Sequence, residues 1–434
     1  MQHAGLALRA AFTIVLALPL PGLVSAVRID TGREWQEAPS SSREFEYTRR
    51  HLRQSFDGYG TKDVFVGEFA VVALSHFAAG LMNVHVAEPA RDEEVISLLD
   101  EVVRRAKNPL VAPSELANAR PIDASVKLDD HNLYFSHLAV ILGVRRLVAC
   151  SDRRDTAACM ADPDDALLSR IVAHLRARSL ASPLHHAPSY PGSEMWPADQ
   201  AVTLLAFRIY DETHGTHLLD APLEGFLSTM KKHTDPSTGL FHSSVSPELD
   251  YATTPRGCAT SWTTLYLAQV APDVARAQYA RYREHMRDDV LGFGGFREWP
   301  GDRARGADVD SGPIIFGVGM AATALALGPT RLFGDAERYA TIRRSALTFG
   351  LPSWIPSHGH LTAPVLGEAI LFHGRTARPW FAASSEKAGS TSTGGASFST
   401  ASAVLLVAYV ALIVAWIRSL AKRARNVLAR TVRD

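Results

Sequence analysis

The stretch Tyr190-Pro191-Gly192-Ser193-Glu194-Met195-Trp196-Pro197-Ala198-Asp199-Gln200 brings a Trp and two carboxylates to the start of a long apolar segment, 201–210. Pro197 has no backbone N–H to donate but is tolerated in a first helical turn. Asp199 then has two readings. A carboxylate at a helix start complements the unpaired N–H groups and the macrodipole, and it can also carry chemistry. Glu194, Trp196 and Asp199 crowd the mouth of one helix, which is where the loops of a helical toroid place their reactive groups.

Outward from that point, apolar residues recur mainly at helical spacing, punctuated by Pro and Gly. The pattern predicts helices over 64–86, 93–107, 132–149, 167–179, 201–213, 222–233, 261–271, 274–286, 314–328, 336–350 and 364–374. No alternating run is long enough for a sheet, so strands can only be minor. Eleven or twelve helices joined by motif-bearing loops predict an all-α fold, an (α/α)6 toroid spanning 42–380. A helical solenoid is the competing architecture, but no repeat period is visible.

Four further loops carry polar motifs. Asp129-Asp130-His131-Asn132 precedes a helix that holds His137 among apolar residues; Asp130 suits a cap as well as a binding acid, and His137 suits a core histidine as well as a base. Thr254-Pro255-Arg256-Gly257-Cys258 offers a cation, a thiol and N–H groups at a helix start, a setting for developing negative charge. Arg256 could equally pair with a structural carboxylate. Phe296-Arg297-Glu298-Trp299 and Asp308-Val309-Asp310-Ser311 place acids and aromatics before the helix expected from Ile314. Asp308-x-Asp310 has too few ligands for a calcium loop, and His358-x-His360 too few for zinc, so no metal is expected. There is no G-x-S-x-G elbow, phosphate-binding loop or dinucleotide fingerprint. Carboxylate, His, Arg and Trp in an apolar bowl suit acid–base chemistry on a neutral small molecule without a cofactor.

The ends of the chain speak about location. His3 and Arg9 precede an apolar run, 10–23, and Val24-Ser25-Ala26 fits a small-x-small cleavage rule, so 1–26 reads as a signal peptide, with an uncleaved anchor as the alternative. Residues 401–417 carry no charge, near the lower limit for a membrane span. Trp416 bounds them, and Arg418, Lys422, Arg423, Arg425, Arg430 and Arg433 follow, as the positive-inside rule expects of a cytoplasmic tail over 418–434. The Ser-, Thr- and Gly-rich 384–400 suits a flexible linker. A single-pass membrane protein with its main domain periplasmic or extracellular is therefore expected. Cys150 and Cys159, nine apart around a polar loop, could pair in an oxidising compartment or remain as buried thiols. With 45 basic and 45 acidic residues, the charge balance gives no sign of a nucleic-acid partner.

Over 132–286 the chain resembles the linalool dehydratase/isomerase family. Leu133-Tyr134-Phe135-Ser136-His137-Leu138 is similar to its histidine-bearing helix, and Tyr210-Asp211-Glu212-Thr213-His214-Gly215-Thr216 resembles its YDRLHGT segment. Asp235-Pro236-Ser237-Thr238-Gly239-Leu240-Phe241 and Thr260-Ser261-Trp262-Thr263-Thr264-Leu265 also resemble family segments, in the same order and spacing. The resemblance implies an exported, cofactor-free (α/α)6 toroid that dehydrates or isomerises a small terpenoid alcohol by acid–base chemistry. It aligns the family's histidine with His137. One of the family's two reactive cysteines falls at Asp199 and the other near Tyr190, so both thiols are replaced here.

These readings converge on a membrane-anchored exported enzyme with Asp199, His137 and Arg256 catalytic, and with Tyr190, Glu194, Trp196, Asp130, Trp299 and Asp310 around the substrate. Its expected partners are a small molecule, the membrane through its C-terminal helix, and, as an option left open, further copies of itself. Two alternatives use the same residues. A glycoside hydrolase or polysaccharide lyase would stack sugars on Trp196 and Trp299 between paired acids. A non-catalytic envelope binding module would leave the loops scattered.

Overall fold

The computed structural model describes residues 12–431 except 14, 56–63, 114, 117–119, 152–161, 193, 247–251, 291–292, 302–305 and 382–394; the side chains of 64–67, 290 and 423–431 are likewise outside the description. The chain is mostly helical with a few short strands. In order, the elements are α1 (Leu20–Val27), β1 (Arg28–Asp30), α2 (Thr31–Gln36), α3 (Arg43–Arg53), α4 (Val64–Ala87), α5 (Asp92–Ala106), α6 (Asn132–Ala149), α7 (Asp165–Ala181), α8 (Pro197–His214), α9 (Asp220–Lys232), α10 (Gly257–Leu267) and α11 (Pro272–Met286). There follow β2 (Arg287–Val290), β3 (Phe293–Phe296), β4 (Ile314–Ile315), β5 (Val318–Gly319), α12 (Met320–Leu332), α13 (Ala336–Phe349), α14 (Val365–Thr376), β6 (Ala396–Phe398) and α15 (Thr400–Thr431).

Each helix expected from the periodicity is present within a few residues of its expected limits, with one shifted start. Ile314 does not open a helix. Ile314 and Ile315 pair antiparallel with Gly319 and Val318, and the two residues between them, Phe316 and Gly317, both take positive φ. That is the backbone a tight hairpin requires, with glycine lowering its cost, so α12 begins only at Met320. Local signals elsewhere behave as expected. Pro197 is the first residue of α8, and Gly215 ends that helix in the left-handed conformation, its N–H bonded to the carbonyl of Asp211.

The core follows from helices that are apolar on nearly every side. In α6, fifteen residues are buried, Leu133, Tyr134, Phe135, Leu138 and Ile141 among them. Such a helix needs neighbours all round it. The packing partners supply them in a closed cycle: α4 against α6, α6 against α8, α8 against α10, α10 against α12, α12 against α14, and α14 back against α4. A second layer covers this ring, with α5 on α4 and α6, α7 on α6 and α8, α11 on α10, and α13 on α12. The outermost position beside α14 is taken by α3, so the start of the body closes onto its last helix. Side chains carry that closure. Arg375 of α14 reaches Glu44 of α3 at 2.7 Å and Glu37 at 2.9 Å, and Arg343 of α13 reaches Glu34 at 3.1 Å.

Among the described residues two helices are long and apolar enough to cross a membrane, and they differ in surroundings. The window in α4 is 83% buried inside the protein, whereas that in α15 is 6% buried with a mean hydropathy of 2.4. α4 is a core helix and α15 is the candidate span. Of the expected linker, 384–394 lie outside the described residues, while Ala396–Phe398 form β6, paired antiparallel with β1. α1 packs on α13 and on α15. Ala26, the last residue of the expected signal peptide, is fully buried, and its carbonyl accepts from Arg344 at 3.1 Å. Cys150 is disulfide-bonded and Cys258 is a free buried thiol; Cys159 lies outside the described residues.

Phe372 of α14 is fully buried, and its ring lies 6.0 Å from that of Phe45 in α3. Phe372→Ala should therefore cost ~3–5 kcal/mol, read as a lowered denaturant midpoint. Leu110→Ala, at a site 63% exposed, should stay within about 0.5 kcal/mol of the parent.

Candidate functional site

The site is built where α4, α8 and α10 begin, together with the loop ahead of α12. The approach to it is pinned by the ends of two helices. The backbone N–H of Leu133 donates to the carbonyl of Ser189 at 3.1 Å. The Asn132 amide donates to that of Pro188 at 2.7 Å. From α8, the fully buried Gln200 accepts from the N–H of Ala187 at 2.9 Å. These bonds fix Ser189 and Tyr190 against the first turn of α8. Ser189 Oγ donates to Asp199 Oδ2, and the Tyr190 hydroxyl donates to Glu68 of α4.

Glu68 was not among the residues expected here. It is 5% exposed, and its Oε2 has no partner among the described residues. The only sequence signal was a lone carboxylate in an otherwise apolar helix. Burial is the largest influence on both acids and raises each to about 7. Ser189 pulls Asp199 the other way and the charge of Asp310 adds to the rise. Tyr190 opposes burial at Glu68. The positive end of a helix favours an ionised acid, but removal from water outweighs it here. Near neutrality the pair can hold and release protons.

Arg256, the residue before α10, is a carboxylate hub. Its Nε lies 2.9 Å from Glu298, Nη2 2.6 Å from Asp308 and Nη1 3.5 Å from Asp310. The guanidinium also sits 5.1 Å from the ring centre of Trp299, a cation–π arrangement. Glu298, fully buried, accepts from the Cys258 N–H at 3.1 Å and from its Sγ at 3.0 Å. Burial and the neighbouring Glu298 push the Cys258 thiol up, so it stays protonated. Asp308 and Asp310 thus face a guanidinium rather than forming an open pair for a cation. Glu194 accepts from Ser244 Oγ, and the flanking Met195 bridges to Val245. Trp196 is partly buried, and its carbonyl takes the Asp199 N–H at 3.1 Å.

His137 lies deeper, five residues into α6, which is about 8 Å along the axis. It is 1% exposed, and neither ring nitrogen has a partner among the described residues. Its ring meets Trp262 edge-on at 5.6 Å. Desolvation lowers it to about 3, so it is a neutral imidazole. Two histidines absent from the sequence reading share this layer. His76 of α4 and His373 of α14 face each other Nδ1 to Nδ1 at 2.9 Å, and His76 also meets Trp262 at 5.7 Å. A bond links the two layers: Thr203 of α8, whose hydroxyl donates to the Asp199 carbonyl at 3.2 Å, lies 2.7 Å from Ser136 Oγ, beside His137.

The structure thus brings Tyr190, Asp199, Arg256, Asp310 and Trp299 to one end of the helix ring, adds Glu68 and Glu298, and sets His137 beneath. Asp130 is engaged elsewhere, in a two-pronged ion pair with Arg178 of α7 at 2.7 and 2.8 Å. A cap acid and a catalytic acid look alike in sequence, and only the partner separates them.

No curated protein matches the chain. The family description that does match covers 200–342, from the residue directly after Asp199 to the middle of α13, and so takes in Arg256, Glu298 and Asp310 but neither Asp199 nor His137. That family is linalool dehydratase/isomerase, and the match supports the resemblance carried by the sequence motifs.

Proposed function

We propose that this chain is a cofactor-independent enzyme of the (α/α)6-toroid type that dehydrates or isomerises a small neutral alcohol outside the cytoplasm. The cyclic packing of α4, α6, α8, α10, α12 and α14 under an outer helix layer supports the architecture. The observation that carries the chemistry is the contrast between two buried acids raised to about 7 and a neutral histidine beneath them. Groups pushed apart in this way are suited to act as acid and base together. Protonated Asp199 would give its proton to the departing hydroxyl as the C–O bond breaks. His137 would take a proton from the adjacent carbon, leaving water and a C=C bond; reversing the order at another carbon moves the alcohol. Glu68 and Tyr190 relay protons to Asp199, and Arg256 is a positioning residue that holds Asp310 and Glu298. Glu194 and Trp196 shape the entrance.

Two variants test the roles. With a panel of small allylic and tertiary alcohols followed by gas chromatography, Asp199→Asn and His137→Ala should each lower turnover ~10²–10⁴-fold, the usual size of a general acid or base. Full turnover by both would remove the assignment.

The raised acids also fix a sign for stability. A carboxyl with a folded pKa of about 7 and an unfolded one of about 4 holds its proton more tightly when folded. Its contribution is therefore complete below about pH 4 and declines until pH 7 is passed. Asp199→Asn should flatten the fall of Tm between pH 5 and 8 and melt above the parent at pH 8. Parallel Tm profiles for the two proteins would contradict the burial of this charge.

The membrane reading rests on α15 and its basic tail, since moving each Arg across a bilayer centre costs ~2.5–3.5 kcal/mol on insertion scales. The N-terminal segment runs beside α15: the Phe12 ring lies 4.7 Å from Trp416, and Trp416 Nε1 donates to Thr13 at 3.2 Å. At the opposite end β1 is paired to β6. This packing favours an N-terminal segment that stays attached over one removed after Ala26. A periplasm-active reporter inserted at 384–394 should be active and one after Asp434 silent, and the mature protein should keep its first 26 residues by intact mass. The reverse reporter pattern would remove the exported site, and a mass lacking 1–26 would restore cleavage.

A further inference from the structure

We propose that the face of the body next to α15 carries a binding site for the phosphodiester headgroup of an anionic membrane phospholipid. A cavity of about 430 Å³ opens there, walled by Pro21 and Ser25 of α1, Arg28 of β1, Arg43 of α3, Arg343 of α13 and Arg375 of α14. This is within the ~300–1,000 Å³ typical of ligand sites.

Its charge is uneven. Glu34, which also faces the cavity, lies 3.1 Å from Arg343 and 3.6 Å from Arg375. Glu44 and Glu37 engage the same two cations. Arg343 and Arg375 are therefore matched by carboxylates. Arg28 is not, since it is 67% exposed and only loosely paired with Asp30 at 3.8 Å. Arg43 has no carboxylate within ion-pair distance among the described residues; its Nη1 donates to the carbonyl of Ser353 at 2.6 Å. The rest of its fork is free to take phosphate oxygens, which a planar guanidinium does in a bidentate manner.

The rim of the cavity is apolar where that headgroup's chains would run. Pro352 and Pro356 line it, and between them Trp354 and Ile355 are 60% and 55% exposed. Phe398, opposite Arg28 in the β1–β6 register, is 65% exposed and lies two residues before α15. Adjacent exposed apolar side chains rimmed by polar groups mark contact surfaces, and aromatics beside a span belong at the level of the headgroups. The cavity, its unmatched cations and its apolar rim all adjoin the root of the candidate span. That continuity selects a lipid of the same membrane as the occupant. The inference rests on the membrane reading above only for its location.

The test uses the full chain in neutral detergent, freed of lipid and titrated with phosphatidylglycerol, phosphatidylcholine or inorganic phosphate, with binding read by native mass spectrometry and thermal shift. Phosphatidylglycerol should bind and raise Tm, and phosphatidylcholine should not. Arg43→Gln should weaken phosphatidylglycerol about fivefold or more, the loss expected for one cation at a lipid surface. Trp354→Ser, at an exposed position that folding does not depend on, should weaken the lipid while leaving inorganic phosphate unchanged. Equal binding of the two lipids, or parent-like affinity in a folded Arg43→Gln protein, would overturn the proposal. Phosphate binding as tightly as the lipid, with Trp354→Ser without effect, would make the site one for free phosphate and likewise refute it. The titration needs no exported body, so failed reporter fusions and a failed lipid site remain distinguishable.

Discussion

A helix that is apolar on every side can be buried only between neighbours, and this constraint organises the whole body. α4, α6, α8, α10, α12 and α14 meet it by packing in a closed cycle. A cycle has no unpaired flank, so no member needs a polar side, and α4 can hold a run apolar enough for a membrane while lying 83% inside the protein. The outer helices then need only one apolar face each. Closure brings the two ends of the body together, where Glu34, Glu37 and Glu44 meet Arg343 and Arg375. Breaking one partner of such a buried set leaves an unmatched charge, which is costlier than the set is stabilising.

The same enclosure sets the proton affinities of the buried polar groups. Polar groups enter the ring where its helices begin, and each must be bonded or must shift its proton affinity. Arg256 bonds three carboxylates and is thereby settled. Among the described residues Asp199 and Glu68 receive hydroxyl donors, and burial lifts them to about 7. His137 receives nothing among the described residues and is held neutral. One apolar environment thus holds acids and a base uncharged by acting in opposite directions on their proton affinities. A carboxylate at Asp199 can serve there because desolvation raises its proton affinity into the neutral range.

The candidate span departs from this arrangement. α1 and α15 lie together, tied by β1–β6 at one end and by Phe12 and Trp416 at the other. The apolar surface of α15 faces outward, unlike that of α4, and Trp354, Ile355 and Phe398 are likewise exposed.

Much of the fold was legible in the sequence because helical periodicity, Pro197 at a first turn and Gly215 at a last one are local properties of the chain. The hairpin at Ile314–Gly319 escaped because its two short strands sit in the same apolar run as α12, and only the positive φ of Phe316 and Gly317 separates them. Of the site, the turn-to-helix junctions carry Tyr190, Asp199, Arg256 and Asp310, and the structure sets Asp310 against Arg256 and within electrostatic reach of Tyr190 and Asp199. Glu68, His76 and His373 stayed hidden inside helices read as core. Asp130, readable as a cap or as a binding acid, is ion-paired with Arg178. The sequence by itself determined which segments are helices, which of them are apolar all round, and where the charges at the two termini fall. Only the tertiary structure decided which acid has a cation, which has only a hydroxyl and which histidine has no partner, because ion pairing and desolvation depend on residues far apart in the chain.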